Sequence, residues 1–491
     1  MQESLLLLLG DGWRVGGHAP EGDGLHSLAA ELGVTDSELA ATVAGAVDAR
    51  AGSEPSRIVI PLASGPVTVV VCRLPGARRG PGAPSDEERF FEAGLRLGAA
   101  GGGRAQLWFS GRAAAGVALG ELPGPLRDAL WSGAWLATQR PAAALDEDLM
   151  PVFGDGVAQS SPAVFRARAR GWVRELTERP ANLLGPQELG DEIARLAEAH
   201  GKGVTVELWS ADDASERGFG ALVAVGAGSS RQPIVVRLRW SAAGQGGPIL
   251  GVVGKGVTFD SGGLNVKKDP GELAWMKSDM ASAATVAAAL VLASRLGKPG
   301  APVEAILPLC DNAVSGSSVR PGDVVTHPDG RTTEVVDTDC EGRLVIADGL
   351  AWLRAEGAAT LLDLGTLTDG GAGLRAAGLW SNDALLASRL QAVGGGVADP
   401  LWPIPLPYGE EVVLESRVAD AKNAPLDRPD LGRHAAGFLA EFVGEVPWAH
   451  LDIGGVAYLE APIAGWPEGP TGAATLAVAA AIGEWAAGSL R

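Results

Sequence analysis

Four carboxylates (Asp260, Asp279, Asp339 and Glu341) and two lysines (Lys255 and Lys267), in three short clusters of this 491-residue chain, stand out as candidates for chemistry. The first cluster runs from Val253 through Lys255, Asp260, Gly262 and Gly263 to Lys267. The second is Met276-Lys277-Ser278-Asp279, and the third runs from Asp337 through Asp339, Cys340 and Glu341 to Arg343. Asp260, Asp279, Asp339 and Glu341 would together neutralise two divalent cations, and hard carboxylate oxygens suit Mn2+, Mg2+ or Zn2+. Asp339 and Glu341 are two apart, so an extended segment would turn both to one face. Asp279 directly precedes an Ala-rich helical pattern and is expected to be its N-cap. Gly262 and Gly263 permit a tight backbone beside the cluster.

Lys255 and Lys267 read in two ways. They are ion-pair partners of the carboxylates, or one of them is a neutral amine that ligates metal. A free lysine titrates near about 10.4, and burial beside cations lowers that value. Arg343 stays protonated and, at a helix start, is suited to hold an anion together with backbone N–H groups. Spacing by itself points to a metal-dependent hydrolase.

The elements that must carry these clusters alternate. Gln187–His200 reads as a helix, and Val204–Trp209, Ile234–Trp240 and Ile249–Val253 as strands. A small-residue helix (Ala281–Leu296), a strand (Val303–Leu309), a helix (Arg343–Glu356) and strands at Ala359–Leu364 and Ala449–Ile453 follow. This pattern predicts a mostly parallel sheet covered by helices, with ligands bound beyond the carboxyl ends of its strands. Before it, strands at Leu5–Leu9, Arg57–Leu62, Val67–Leu74 and Gln106–Ser110 and a helix at Asp86–Leu97 read as a small α/β domain without a chemical motif. Gly76–Pro84 is a loop by composition. The fold class is therefore α/β, with a smaller N-terminal α/β domain (1–160) and a larger C-terminal α/β domain (161–491). The larger domain is built on a central, mostly parallel mixed sheet flanked by helices.

Composition narrows the function. A formal charge of −19 opposes binding to nucleic acid or anionic membrane. Arg166, Arg168, Arg170 and Arg174 make one basic run, expected as a solvated helix face. Three scattered cysteines form neither a disulfide framework nor a CxxC zinc site. With no basic segment before the Leu5–Leu9 run and no long uncharged apolar stretch, the chain reads as cytoplasmic and not membrane-spanning. No HExxH pair is present, and His450 reads as a satisfied core histidine.

The segments VGKGVTFDSGG, MKSD and TDCEGRL closely resemble signatures of the leucyl (cytosol) aminopeptidase family. The likeness continues through ERPANLLGP (178–186), SGSSVRPGDVV (315–325), GTLT (365–368), WSND (380–383) and PWAHLDIGG (447–455), over roughly residues 170 to 480. It implies a metallo-exopeptidase that releases N-terminal residues, Leu and other apolar ones, from short peptides. It also implies two divalent ions per subunit (Mn2+ or Zn2+, with Mg2+ or Co2+ accepted) and a homohexamer. Lys255, Asp260, Asp279 and Glu341 would bind the tighter or shared metal positions, with Asp260 and Glu341 bridging. Asp339 would join Asp260 and Glu341 at the more exchangeable position. Lys267 would act on the carbonyl oxygen, Arg343 would hold a bicarbonate as general base, Asp279 would meet the substrate amine, and Met276 would line the first side-chain pocket. Asp337, Cys340 and Asp369 depart from the family pattern, and Asp369 bears on the substrate cleft. Two alternatives are a catalytically silent oligomer and a peptidase that also binds nucleic acid.

Overall fold

The computed structural model of the chain describes 4–9, 56–62, 65–73, 86–101, 105–110, 133 and 162–490, apart from 243–245, 369–370, 408–413, 426–431 and 464–465. Gly76–Pro84 and Asp369 lie outside the described residues. Two compact units divide the chain. One comprises Met1–Gly171, Gly395–Ala398 and Ala461–Glu468; the other comprises Trp172–Gly394, Asp399–Glu460 and Gly469–Arg491.

In the first unit, β1 (Ser4–Leu9), β2 (Ser56–Leu62), β3 (Gly65–Arg73) and β4 (Ala105–Ser110) form a sheet of order β2-β3-β1-β4. The central β1 is parallel to both neighbours, and β2 pairs antiparallel with β3. Helix α1 (Asp86–Gly101) packs on β1 and β3 and buries Phe90, Phe91 and Leu97. Helix α2 (Pro162–Glu178) carries the basic run, and here the solvated-face expectation fails. Arg170 and Arg174 are both 2% exposed. The Arg170 guanidinium lies 5.0 Å over the Phe91 ring and 5.6 Å over Trp466, and Arg174 Nε donates to the Pro470 carbonyl at 2.9 Å. Long alkyl stems and a flat cation let these side chains pack against rings and carbonyls inside the fold.

The second unit holds α3 (Pro186–His200), β5 (Val204–Trp209), β6 (Ile234–Trp240), β7 (Ile249–Gly254), β8 (Gly256–Asp260), α4 (Ala281–Leu296) and β9 (Val303–Asn312). Then come β10 (Asp323–Thr326), β11 (Thr332–Val335), α5 (Gly342–Ala355), β12 (Ala358–Gly365), β13 (Ala377–Ser381), β14 (Leu401–Pro403), β15 (Ala421–Lys422), α6 (Gly432–Val443), β16 (Trp448–Asp452) and α7 (Thr475–Ala487). Nine strands form one mixed sheet of order β14-β13-β16-β12-β7-β9-β6-β5, with β8 also paired to β9. The centre, β16-β12-β7-β9, is parallel, while β13 meets β16, and β6 meets β9 and β5, antiparallel. Strands β10, β11 and β15 form a separate small sheet.

Helices cover both faces of the large sheet. Val253 of β7 packs against Gly349 of α5, whereas a Cβ at the next residue, Gly254, would press on Ser282 and Ala283 of α4. Successive strand residues point to opposite faces, so α4 and α5 lie on opposite sides. Every residue of α4 from Ala281 to Ser294 is buried, which its run of Ala and Val permits. The stretch Pro270–Leu296 has the length and apolarity to cross a bilayer, but 89% of its most apolar window is buried inside the fold, as in a core helix.

Candidate metal centre

The carboxyl ends of β7 and β8 in the large sheet, the turn before α4 and the loop after β11 of the small sheet bring the charged residues together. Lys255 stands at the break between β7 and β8. Its N–H donates to Leu364 O of β12 at 3.1 Å and its carbonyl accepts from Ala283 N of α4 at 2.9 Å. That break turns the side chain inward. Lys255 Nζ lies 2.8 Å from Asp279 Oδ2, 2.8 Å from Glu341 Oε1 and 3.1 Å from Thr366 O. Asp260 ends β8. Its Oδ1 accepts from Gly262 N at 2.9 Å and Asn312 Nδ2 at 2.8 Å, and its Oδ2 lies 2.9 Å from Lys267 Nζ. Lys267 Nζ also approaches Asp339 Oδ1 at 2.6 Å.

Two local expectations give way. Asp279 is not the N-cap of α4; Met280 occupies that position, and Asp279 closes the 3-10 turn Met276–Ser278. Its carboxylate is drawn to Lys255 and accepts from Thr366 Oγ1 at 2.7 Å. Asp339 and Glu341 lie on a turn, not an extended segment, and Cys340 N donates to Asp337 O at 3.3 Å. The turn still gathers them, because one oxygen each from Asp260, Asp339 and Glu341 lie within 4.8 Å of one another. Asn423, fully buried, shapes this turn. It accepts from Val336 N at 2.9 Å, donates to Asp337 O at 2.6 Å and takes Arg343 Nη1 on its own carbonyl at 2.8 Å. Gly262 and Gly263 have φ of +84° and +62°, and side chains there would strike Asp339 Oδ1 and Thr338 Oγ1 respectively.

The donor set fits hard divalent cations. If all four carboxylates are ionised, they exceed the two lysine ammonium groups by two negative charges (four against two). Asp279 Oδ2, Asp339 Oδ1 and Glu341 Oε1 are buried, and each faces a lysine ammonium, Lys255 for Asp279 and Glu341 and Lys267 for Asp339. Burial, then repulsion from Asp260 and Glu341, pushes Asp339 up to about 8 despite Lys267. Burial likewise raises Asp279, where Lys255 opposes and Glu341 and Asp260 reinforce, and it raises Glu341, with Asp260 the next cause. Burial favours a neutral amine at Lys255 and Lys267, but the surrounding carboxylates outweigh it and hold both above the ordinary lysine range. A pair of cations in this space would relieve the carboxylates and reverse that balance for any amine beside them.

Met276 is buried just before Asp279, and Arg343, also buried, opens α5. Sequence reading overlooked Asn312, Asn423 and Asp452, and gave Thr366 no role. Asn312 was detectable as a polar residue ending an apolar strand beside the predicted site. Asp452 accepts from Thr368 N at 3.1 Å, Thr368 Oγ1 at 2.6 Å and Gly454 N at 2.9 Å, so it anchors the loop that brings Thr366 to Asp279. His450 is buried with Nδ1 2.5 Å from Asp363 Oδ1, as expected of a core histidine, but its Nε2 makes no hydrogen bond among the described residues.

Comparison with known proteins shows the family. The sequence profile of the cytosol aminopeptidase family, catalytic domain, matches residues 171–479. A "Probable cytosol aminopeptidase" of Solibacter usitatus is 36% identical over 343 residues, 67% of this chain and 70% of that protein. One of Gluconobacter oxydans is 42% identical over 323 residues, 64% of each. The chain thus spans about two thirds of the length of these curated relatives. The solved structure of the bottromycin maturation enzyme BotP in complex with Mn is similar over 98% of this chain and 99% of that one, with 30% identity and a TM-score of 0.76. The chain belongs to the cytosol aminopeptidase family, and residues 171–479 are its catalytic domain, that of a leucyl-aminopeptidase-type hydrolase.

Proposed function

We propose that this chain is a two-metal aminopeptidase that releases N-terminal residues, Leu and other apolar ones among them, from short peptides. The observation that carries this reading is the convergence of Asp260, Asp339 and Glu341 within 4.8 Å, next to the buried Lys255–Asp279 pair. Asp260, Glu341, Lys255, Asp279 and Asp339 would hold the ions, with Asp260 and Glu341 shared between the two positions, Lys255 and Asp279 serving one and Asp339 the other. When bound, two divalent ions supply Lewis acidity and an activated water. Lys267 donates to the carbonyl oxygen as negative charge develops there. Asp279 receives the free α-amine of the peptide, which restricts cleavage to the first residue, and Met276 walls the pocket for its side chain. Arg343 would hold a bicarbonate, which when bound would supply a general base.

Mn2+ is the first metal to test, since the similar BotP structure is described in complex with Mn; Zn2+, Mg2+ and Co2+ suit the same oxygen-rich set. The part from 161 to 491 is the catalytic domain, and the part from 1 to 160 carries no assigned chemistry. The active assembly is a homohexamer in the cytoplasm, without membrane or nucleic-acid partners. A second reading of the substrate draws on the likeness to a bottromycin maturation enzyme over nearly the whole chain: the peptide is one dedicated precursor, not a mixed pool.

Metal-exchanged protein assayed on leucine p-nitroanilide and on its N-acetyl derivative tests the reading. Hydrolysis of the free amine alone is expected. Cleavage of the acetylated substrate would point to another hydrolase class, and inactivity with all four metals would favour a silent oligomer. A panel of dipeptides then separates broad from dedicated specificity.

A further inference from the structure

We infer that Asn312 is the positioning residue of the metal centre: it selects the Asp260 oxygen that faces the cations and holds two ligand-bearing loops at a set spacing. The inference rests on the two-metal reading above. Asn312 ends β9, is 1% exposed, and stands opposite Asp260 in the parallel register of β8 and β9. Its backbone carbonyl accepts from Ser261 N at 3.0 Å and Ser261 Oγ at 2.7 Å, so the residue after Asp260 is tied to it twice. The two protons of its amide go to different loops: Nδ2 donates to Asp260 Oδ1 at 2.8 Å and to Thr338 O, next to Asp339, at 2.9 Å.

The amide orientation follows from the acceptors. A flipped side chain would set its oxygen against a carboxylate and a carbonyl, both of which repel it. With Nδ2 in place, Asp260 Oδ1 takes two N–H donors, from Asn312 and Gly262. Among the described residues Oδ2 meets only the Lys267 ammonium, at 2.9 Å, and is the oxygen left to face a cation. The amide does this without adding charge to a crowded anionic cluster. Gly263 passes close beside it, since a Cβ there would lie 2.9 Å from Asn312 Oδ1.

Substitution separates positioning from mere packing. Full-length wild type, N312A and N312D are stripped and titrated with Mn2+. Bound ion is read from the loss of the free-Mn2+ EPR signal, and kcat, KM and melting temperature are measured on the same samples. Wild type is expected to bind two Mn2+ per chain. N312D, nearly isosteric, removes both donors and turns an acceptor onto Asp260. We expect at least one Mn2+ to bind about 10 to 100-fold more weakly, the range for lost outer-shell partners of a ligand. We also expect kcat to fall with KM little changed, and N312A to shift in the same direction; should N312A not fold, N312D alone decides. Unchanged Mn2+ affinity and kcat in a folded variant, with or without a lower melting temperature, would overturn the inference. Wild type that binds no Mn2+ would instead remove the two-metal reading beneath it.

Discussion

Carboxylates are buried in two kinds of place in the second unit, and their partners differ. In the core, Asp363 gives Oδ1 to His450 Nδ1 at 2.5 Å and Oδ2 to Trp448 Nε1 at 2.6 Å. Asp348 gives Oδ1 to His327 at 2.7 Å and Oδ2 to Leu222 N at 2.9 Å, and His327 Nε2 continues to Thr333 at 2.9 Å. Every oxygen of these two acids has a partner. At the candidate centre, Asp279 Oδ2, Glu341 Oε1 and Asp339 Oδ1 are buried against lysine ammonium groups, the first two 2.8 Å from Lys255 Nζ and the third 2.6 Å from Lys267 Nζ. Four carboxylates gathered around two lysines leave an excess of buried negative charge, which is costly. The contrast teaches that the balance of charge among the partners, more than burial, separates an acid that holds a fold together from one shaped for a ligand.

The comparison can be broken by substitution, and the largest effect is expected at Asp260. D260A should lose Mn2+ binding, with kcat/KM down more than about 100-fold, beyond the range for outer-shell partners. Near-normal turnover would refute the bridging role. D363A should behave in the opposite way, costing about 3–5 kcal/mol of stability as a broken buried pair does. A denaturant midpoint close to wild type would show that the core acids are not structural in the sense argued.

K267A should retain metal and lose about 100 to 1,000-fold in kcat, the scale for one lost oxyanion donor. A change confined to KM would contradict its role at the carbonyl oxygen. The smallest effect concerns pH. Burial lowers His450, but Asp363 outweighs it and the folded value lies above the ordinary 6.5. Stability from this pair is therefore fully present below about 6.5 and is lost as pH rises through the higher folded value. Metal-free wild type should weaken over that interval, and H450Q should show a flatter profile in denaturant melts. Equal slopes would exclude His450 as the source.

Much of this was legible along the chain. Strands Val204–Trp209 and Ile234–Trp240 and helix Ala281–Leu296 match the predicted bounds, because apolar runs of β-branched residues and an Ala-rich stretch leave little choice of local structure. Asp260, Asp279, Asp339, Glu341, Lys255 and Lys267 were all identified before their meeting was visible. The misplaced expectations share a cause. The Asp279 cap, the extended Asp339–Glu341 segment and the solvated face of Arg170 and Arg174 were judged from neighbours in sequence. Long-range partners decided each: Lys255 and Thr366 for Asp279, Asn423 for the turn, and Phe91, Trp466 and the Pro470 carbonyl for the arginines.

Residue types and short-range periodicity were enough for the α/β class, for most strands of the sheet's centre and the helices between them, and for which residues to examine as a centre, since hydrophobic pattern and side-chain charge are local properties. Tertiary structure alone decided which oxygens are satisfied, which way each carboxylate faces, and that Asn312 and Asn423 join the loops. Those outcomes depend on hydrogen bonds between residues 52 and 86 positions apart, which exist only once parallel strands have aligned their carboxyl ends.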